Sequence, residues 1–369
     1  TLYNLLVKKG TRLLKKNMGK RREKAETIRK YIVDNIPDHP SDIVKLASEH
    51  FGLSRQAILN NLAKLKQEGI VETFGIKKGM KYKLKAVKKK IMLDNIANLD
   101  ESEVWEKEIL SFLPELDENI KFICNYGFTE MLNNVIDHSK AESVLIAVEY
   151  DAKEIRITVH DFGIGIFNKI YKTLGLANME DAIFELKKGK LTTDPERHTG
   201  EGIFFTSRMF EYFNILSSGL YFDAHEDDDW LMGPVDKSDA GTYVKMRIRR
   251  DSPKDADVIF SKYANPQEDD YGFVKTKIAV KLLERGGSSL VSRSQAKRLV
   301  TRLESFKEIV LDFKGIKRIG QAFADEVFRV FKNKHPAIKV HVVNQNKAVE
   351  RVIRHVLSSS ENQQDLFKQ

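Results

Sequence analysis

The stretch Phe128–Ser139, FTEMLNNVIDHS, combines two helical patterns. Its apolar side chains recur at spacings of three and four residues, which places them on one face of a helix. Glu130, Asn134 and His138 follow one another at intervals of four residues, so they share a second, polar face. A carboxylate, an amide and an imidazole in one line, on a helix whose other face is apolar, indicate a binding or catalytic site.

A hairpin and a glycine motif follow this helix. The alternation in Ser143–Tyr150 and Glu154–His160 predicts two paired strands. The second strand leads into Asp161-Phe-Gly-Ile-Gly, whose carboxylate could accept a hydrogen bond from an adenine amino group. Gly163 and Gly165 would let the backbone pass close to a base. Taken alone, the motif also suits a plain Asp-Gly turn.

A second glycine motif, Gly200-Glu-Gly202, comes after a long segment, residues 166–199. The length of that segment is typical of a lid, with one helix predicted near Met179–Lys188. The motif opens a helix predicted over Ile203–Tyr212, and free backbone N–H groups at a helix start suit phosphates. A packing glycine is the alternative. A solvated surface is preferred to a role as lid cations for the basic residues of the segment, which are Lys187, Lys188, Lys190 and Arg197.

In order and spacing, these motifs resemble the GHKL superfamily of ATP-binding domains, which includes gyrase, Hsp90, MutL, histidine kinases and anti-sigma-factor kinases. The polar line of Glu130, Asn134 and His138 is similar to the N box of that superfamily, and the glycine motifs are similar to its two glycine boxes. The similarity extends over about residues 105–250. No H-E-x-R phosphoacceptor motif precedes it, which disfavours an autophosphorylating histidine kinase.

The resemblance implies a Bergerat-type α/β sandwich that binds ATP and Mg²⁺. Asn134 would bind Mg²⁺, Glu130 would act as a general base, and Asp161 would recognise adenine with support from Thr242. A structural imidazole is the alternative role for His138. The other family positions around the nucleotide are His138, Gly163, Gly165, Gly200 and Gly202.

Composition limits the class of protein. The 369 residues predict two or three domains, and the hydrophobic fraction of 41% is enough for true cores. No run of about 18 apolar residues occurs, so no membrane span is predicted. The single cysteine, Cys124, excludes an internal disulfide, fits a reducing cytoplasm and is interpreted as a small buried hydrophobe.

Positive charge is concentrated at the start of the chain. Residues 1–90 carry 23 Lys and Arg against 8 Asp and Glu, a net charge of +15, whereas the whole chain carries +9. This asymmetry predicts a basic module for a polyanion. A solvated basic surface without a ligand would not explain why the charge is segregated.

Residues 23–86 predict three helices and a hairpin, and this order resembles a winged helix-turn-helix domain. Ser54 would cap the third helix, Arg55–Gln67. Double-stranded DNA is the expected partner, and protein contacts are the alternative use of such a domain. The residues expected at the DNA are Arg55, Gln56, Asn60, Lys64, Lys77 and Lys78.

Strands and helices alternate again near the C-terminus, which predicts a small α/β layer. This segment resembles a STAS-like domain, the type found in anti-sigma-factor antagonists. Asp312 matches the acidic residue after the central strand. The helix start that carries a phosphorylatable Ser in the antagonists corresponds to residues 319–323, which contain no Ser or Thr, so regulation by phosphorylation there is doubtful.

The fold class predicted from all these patterns is multidomain α/β. The predicted segments are a basic extension (1–22), a winged helix-turn-helix (23–86), a helical connector (87–120), a GHKL domain (105–250), a linker (251–270), a STAS-like domain (271–357) and a disordered tail (358–369).

The expected function is that of a cytoplasmic, DNA-binding regulator that binds ATP and hydrolyses it slowly. Its nucleotide state would control a STAS-like partner, in cis or in trans. Two alternatives stay open: a serine/threonine kinase of the anti-sigma type that acts on a STAS protein, and an ATP-dependent scaffold. The sequence also leaves a homodimer open.

Overall fold

The computed structural model describes residues 23–75, 79–191, 200–224, 230–232, 240–263, 273–284 and 290–358. The predicted basic extension, Lys77, Lys78, Arg197 and nearly all of the predicted tail therefore lie outside the described residues. The chain divides into two compact units. The first unit contains the described residues up to Lys89 with the short segments 148–155 and 249–251, and the second contains the rest.

Helices occur throughout the described residues. They are α1 (23–35), α2 (Ile43–Phe51), α3 (Arg55–Gln67), α4 (Glu101–Val104, widened over Trp105–Leu110), α5 (Glu118–Asn134, widened over Val135–Ser139), α6 (Ile166–Thr173), α7 (Glu180–Lys188), α8 (Gly202–Met209), α9 (Ala256–Tyr263), α10 (Arg293–Val300), α11 (Gln321–Ala324, continued by Asp325–Phe331 and Lys332–Lys334) and α12 (Lys347–Ser358).

Within the described residues, the strands form three sheets. They are β1 (Val71–Phe74), β2 (Lys81–Leu84), β3 (Val87–Asp94), β4 (Ser143–Tyr150), β5 (Glu154–Asp161), β6 (Tyr212–Ser217), β7 (Leu220–Ala224), β8 (Trp230–Met232), β9 (Thr242–Arg249), β10 (Lys275–Ala279), β11 (Glu308–Asp312) and β12 (Lys339–Val343). The fold is therefore mixed α/β. Within the described ranges, no helix has the length and apolar composition that a membrane crossing requires.

The first unit packs α1, α2 and α3 around one apolar core, beside the antiparallel pair β1–β2. Ser54 caps α3 as predicted, because its hydroxyl accepts a hydrogen bond from the backbone N–H of Ala57 at 3.3 Å. The register of the hairpin pairs Val71 with Leu84. The innermost side chains of this core, each at most 2% exposed, are Ile32, Ile36, Ile43, Ala47, Ile58, Leu62, Leu65 and Val71.

The prediction of a helical connector is wrong at its start. Residues 87–94 form β3, an edge strand of a seven-stranded sheet in the order β3-β4-β5-β9-β6-β7-β8. Lys89, Ile91 and Leu93 are half-buried while their neighbours are exposed. This two-residue period is the signature of a strand, and lysines on an edge strand oppose pairing with another chain. The helical part of the connector begins only at α4.

The seven-stranded sheet has one well-covered face. Alternate residues along β4, β5 and β9 are buried and their neighbours are half-exposed, as expected for a sheet with one face on a core. Helix α5 packs against α8, and α8 packs against β6. Cys124 on α5 is buried, as predicted, and burial raises the pKa of its thiol to about 12.

The predicted linker, residues 251–270, contains a helix. Ala256–Tyr263 forms α9, which packs against α5 and α8. Its Phe260 lies edge-on to Tyr126 and to Phe205, with ring centroids 5.5 and 4.8 Å apart. The prediction of a plain linker is therefore wrong for these residues. The segment is mostly polar, and its few apolar side chains did not indicate a helix.

The described residues from Phe273 onward, 273–284 and 290–358, form what we call the C-terminal layer. Its sheet is parallel, in the order β10-β11-β12, and helices connect the strands. In the register of this sheet, Glu308 of β11 pairs with Lys275 of β10 and with Lys339 of β12. The alternation of strands and helices predicted for this segment is present.

Candidate functional site

A cavity of about 300 Å³ opens in the second unit. Its walls come from α5, the end of β5, α6, α8 and β9. Residues from position 130 to position 242 therefore converge on one space, whose volume is at the lower end of the range for small-molecule sites. The predicted site residues that line it are Glu130, Asn134, His138, Asp161, Gly165, Gly200, Gly202 and Thr242.

Helix α5 supplies the polar line. The Nδ2 of Asn134 donates a hydrogen bond to the carbonyl of Glu130 at 2.8 Å. This bond uses the amide nitrogen, so the amide oxygen is the atom suited to coordinate a cation. After Asn134 the helix widens into a π-helical turn that carries His138, a change of pitch that a regular i, i+4 pattern does not predict.

Glu130 lies half-buried at the cavity, beside the first turn of α8. Burial raises the pKa of its carboxyl group, and the nearby carboxylate of Glu201 raises it further. A side chain at position 202 would overlap Oε2 of Glu130. Gly202 thus leaves room for the carboxylate of Glu130 beside α8. A carboxyl group with a raised pKa at a cavity is suited to accept a proton.

Asp161 ends β5 and is only 3% exposed. Its Oδ1 accepts a hydrogen bond from the backbone N–H of Gly163 at 2.8 Å, and the backbone and hydroxyl of Thr242 also donate to the carboxylate. Burial nevertheless raises the pKa of Asp161 above its ordinary value. The hydroxyl of Thr242 also accepts from the N–H of Ile166 at 3.0 Å, so these bonds join β5, β9 and the start of α6.

The two glycines of the first motif have different surroundings. Gly165 lines the cavity at a φ of +79°, in the left-handed region that favours glycine, and precedes α6. Gly163 does not lie on the cavity wall. A Cβ there would overlap the carbonyl oxygen of Ser139, which accepts a hydrogen bond from the N–H of Ile164 at 2.9 Å. Gly163 therefore lets the loop pack on the end of α5.

Lys169 is a cavity residue that the sequence patterns did not indicate. Its Nζ donates to the carbonyl of His138 at 3.4 Å, and among the described residues that line the cavity it is the single Lys or Arg. Helix α6 differs from the sequence prediction, which places a lid with one later helix in residues 166–199. A strongly amphipathic run after the first glycine motif was the available signal.

The prediction of a solvated surface is wrong for Lys187 and Lys188. They are 8% and 0% exposed, because the C-terminal half of α7 packs against the C-terminal layer. Burial lowers the pKa of Lys188 to about 8, although Glu185 opposes this shift. Burial also lowers the pKa of Lys187, well below its usual range.

The predicted nucleic-acid surface is in the first unit. Arg55, Gln56, Asn60 and Lys64 are all exposed on α3. The amide of Gln56 donates to Oδ1 of Asn60 at 3.0 Å, which aligns two amides along the helix. The wing residues Lys77 and Lys78 lie outside the described residues.

The oxygen atoms at the cavity are the kind that Mg²⁺ prefers, since Asn134, Glu130 and Glu201 contribute amide and carboxylate oxygens. In the described part of the chain, no group of three or more His, Cys, Asp or Glu side chains is arranged to hold a metal by itself.

Comparison with known proteins gives a result for the C-terminal layer. The profile of a family described as a STAS-like domain of unknown function (DUF4325) matches residues 295–350. The chain thus contains a C-terminal STAS-like domain, as the sequence predicted. No curated protein matches the chain.

Proposed function

We propose that this protein is an ATP-binding regulator that also binds double-stranded DNA. The observation that carries the proposal is the convergence of the polar line of α5, Asp161, Thr242 and both glycine motifs on one cavity. The resemblance of the sequence motifs to the GHKL boxes names the same residues. Their convergence therefore supports a nucleotide site of the GHKL type with a Bergerat-type fold.

Asp161 would select adenine. Its buried carboxylate accepts bonds from Gly163 and Thr242 and retains lone pairs for a further donor. The exocyclic amino group of adenine is such a donor, whereas guanine presents a carbonyl oxygen at the equivalent ring position. We therefore expect ATP to bind in preference to GTP.

The triphosphate would lie toward α8 and Lys169. Helix α8 begins at Gly202, so its first N–H groups face the region of the second glycine motif. Lys169 would add the positive charge that this end of the cavity needs, since Glu130 and Glu201 are both acidic. Asn134 would hold Mg²⁺, which supplies charge neutralisation to the phosphate oxygens when it is bound.

Glu130 would accept a proton from water or from a hydroxyl group. Its raised pKa makes it a better base than an exposed glutamate at the pH of the cell. Water as the acceptor of the phosphoryl group corresponds to a slow ATPase switch. A protein hydroxyl corresponds to a kinase, for which the same carboxyl group is suited.

DNA would be bound by the exposed face of α3. Its arginine, amides and lysine suit the major groove, and the net charge of residues 1–90 suits the phosphate backbone. The nucleotide would act on this function only if ATP has different affinities for two states of the protein. A mobility-shift assay with genomic fragments, with and without ATP–Mg²⁺, tests this part. Equal shifts in both conditions would contradict nucleotide control.

Calorimetric titration with ATP tests the nucleotide site. Asp161→Asn should weaken ATP binding by at least tenfold, because an amide can present a donor to the adenine amino group. The matched control is Asp151→Asn, since Asp151 is also a buried aspartate that accepts backbone N–H bonds, at 2.8 and 3.0 Å, but lies outside the cavity wall. Equal ATP affinity in Asp161→Asn and wild type would remove the assignment.

Incubation with γ-labelled ATP distinguishes three activities: a slow ATPase switch, a kinase and a scaffold. Slow release of phosphate indicates a switch, and label on a STAS-like protein indicates a kinase. Binding without either product indicates a scaffold.

A further inference from the structure

Helix α7 lies between the cavity and the C-terminal layer. Leu186 lines the cavity, while other residues of the helix contact α10 and β10. Every residue from Asp181 to Lys188 is buried, although four of these eight side chains are charged. Charged side chains are rarely buried unless they are paired. Three of them, Asp181, Glu185 and Lys188, have partners in the C-terminal layer.

Lys188 is fully buried against the end of α10. Its Nζ donates to Oε1 of Glu185 at 2.7 Å and to the carbonyls of Arg298 and Thr301 at 2.9 and 2.7 Å. These three bonds use all three hydrogens of the ammonium group, and the carbonyl end of a helix favours a cation. In return, the hydroxyl of Thr276 on β10 donates to the carbonyl of Lys188 at 2.8 Å.

Two arginines of the C-terminal layer complete this contact. Arg302 donates to Oε2 of Glu185 at 3.1 Å, so one carboxylate joins a lysine of its own helix and an arginine of the layer. Arg298 forms an ion pair with Asp181, one turn earlier on α7. Glu185 and Asp181 are nearly inaccessible to solvent, so both pairs are screened little by salt.

Aromatic side chains form a second contact between the cavity wall and the C-terminal layer. Phe204 of α8 lines the cavity, and its ring centroid lies 4.1 Å from that of Phe273 in the C-terminal layer. Phe273 in turn lies edge-on to Phe306 at 5.2 Å. Gly189, which ends α7 at a φ of +83°, has no room for a Cβ beside the rings of Phe204 and Phe273. Two walls of the cavity therefore rest on the same layer.

We propose that the C-terminal layer regulates nucleotide binding by holding α7 against the cavity. This inference rests on the proposed function. A nucleotide that contacts Leu186 and Phe204 in the positions where the layer holds them binds the docked arrangement more tightly, and therefore favours docking between α7 and the layer. By thermodynamic reciprocity, docking changes nucleotide affinity by the same factor. A bound nucleotide thus strengthens the contact of α7 with α10, and loss of that contact weakens nucleotide binding.

The first test is the double variant Arg298→Ala/Arg302→Ala of the full chain, titrated with ATP–Mg²⁺. It removes both ion pairs to α7 and changes no residue of the cavity wall. We expect the Kd for ATP to rise at least about fivefold, the lower end of typical couplings between sites. The matched control is Arg329→Ala, because Arg329 pairs with Asp325 inside the C-terminal layer, and its Kd should be unchanged. Unchanged or tighter ATP binding in the folded double variant would overturn the proposal.

The second test uses the wild-type chain, so it does not depend on a variant that folds. Hydrogen–deuterium exchange of the α10 amides is measured with and without saturating ATP–Mg²⁺. We expect ATP to slow exchange in α10 by about fivefold, in line with the same coupling. Bound ATP with no change in α10 would overturn the regulation and leave the nucleotide site intact. No binding of any adenine nucleotide would instead overturn the proposed function, and the regulation with it.

Discussion

At the scale of a single residue, the surroundings of Glu130 affect both the stability of the fold and the basicity of its carboxyl group. Its carboxyl group lies in a half-buried position against α8, close to the second carboxylate, Glu201. Both conditions disfavour the negative charge, so the folded protein holds the proton of Glu130 more tightly than the unfolded chain does. A group that is costly to ionise in the native state is often one that function requires.

Glu130→Gln should therefore stabilise the fold at neutral pH while it stops hydrolysis of ATP. Since the pKa is raised on folding, wild type loses stability relative to the variant as pH rises from the ordinary pKa of a glutamate through the folded value. The advantage of the variant should be present at pH 7 and should vanish in acid. Thermal unfolding of both proteins across this pH range measures it, with phosphate release as the activity assay. Hydrolysis that persists in the variant would show that Glu130 is not the base.

Lys169→Met should weaken ATP binding about tenfold or more, since a hydrogen bond to a charged group is worth roughly 1.5–3 kcal/mol. Adenosine, which has no phosphate, should bind both proteins equally. Lys172→Met is the matched control, because Lys172 is exposed on the same helix. Parallel titrations with ATP and adenosine give the comparison. Equal losses for both ligands would indicate general damage to the cavity.

At the scale of the element, the first glycine motif is shaped by the end of α5 as much as by the cavity. The loop after β5 returns over the π-helical turn, and its backbone donates to the carbonyl of Ser139. Gly163 is necessary because a Cβ there would overlap the backbone of Ser139. Its φ angle is not the reason, since it does not lie in the left-handed region.

Gly163→Ala should lower the free energy of unfolding by about 1–3 kcal/mol, the typical cost of overpacking. The added methyl would overlap the backbone of Ser139, which cannot turn aside as a side chain can. Gly79→Ala is a suitable control, because a Cβ at Gly79 meets no atom within 4 Å. Chemical denaturation of the three proteins measures the difference. Equal stabilities would mean that the loop does not pack on α5 in solution.

At the scale of the whole molecule, a buried ionic contact connects α7, which lies at the cavity, to the C-terminal layer. Such contacts contribute little net stability when they are complete, because desolvation offsets attraction, but they are costly to break. Because such contacts are costly to break, they can fix how α7 packs against the C-terminal layer.

Glu185→Ala should lower the free energy of unfolding by roughly 3–5 kcal/mol, because it leaves the fully buried ammonium of Lys188 without its carboxylate. Replacement of the exposed Glu180 on the same helix should change stability by less than about 0.5 kcal/mol. Urea unfolding of both variants against wild type provides the measurement. Similar small effects of the two substitutions would show that α7 is not packed as described.

Several elements could be predicted from sequence because a local rule decides them. The helix Arg55–Gln67 and its Ser54 cap follow from apolar periodicity and cap chemistry, and both are present. The β4–β5 pair and the strands and helices of the C-terminal layer follow from periodicity of the same kind. Helix α9, strand β3 and helix α6 did not follow, because charged or polar neighbours masked short apolar repeats.

The sequence by itself indicated most of the polar side chains that line the cavity, since the spacing of α5 and the two glycine motifs, with their resemblance to the GHKL boxes, selects them. Only the tertiary structure decided that Lys169 belongs with them, that Gly163 faces the end of α5, and that Lys187 and Lys188 are buried. The physical reason is that periodicity reports which face of an element is apolar but not what covers a charged face. Lys188 is buried because a carboxylate and two carbonyl groups accept hydrogen bonds from its ammonium group. The two carbonyls are 110 and 113 residues away in the sequence, so a local pattern does not show them.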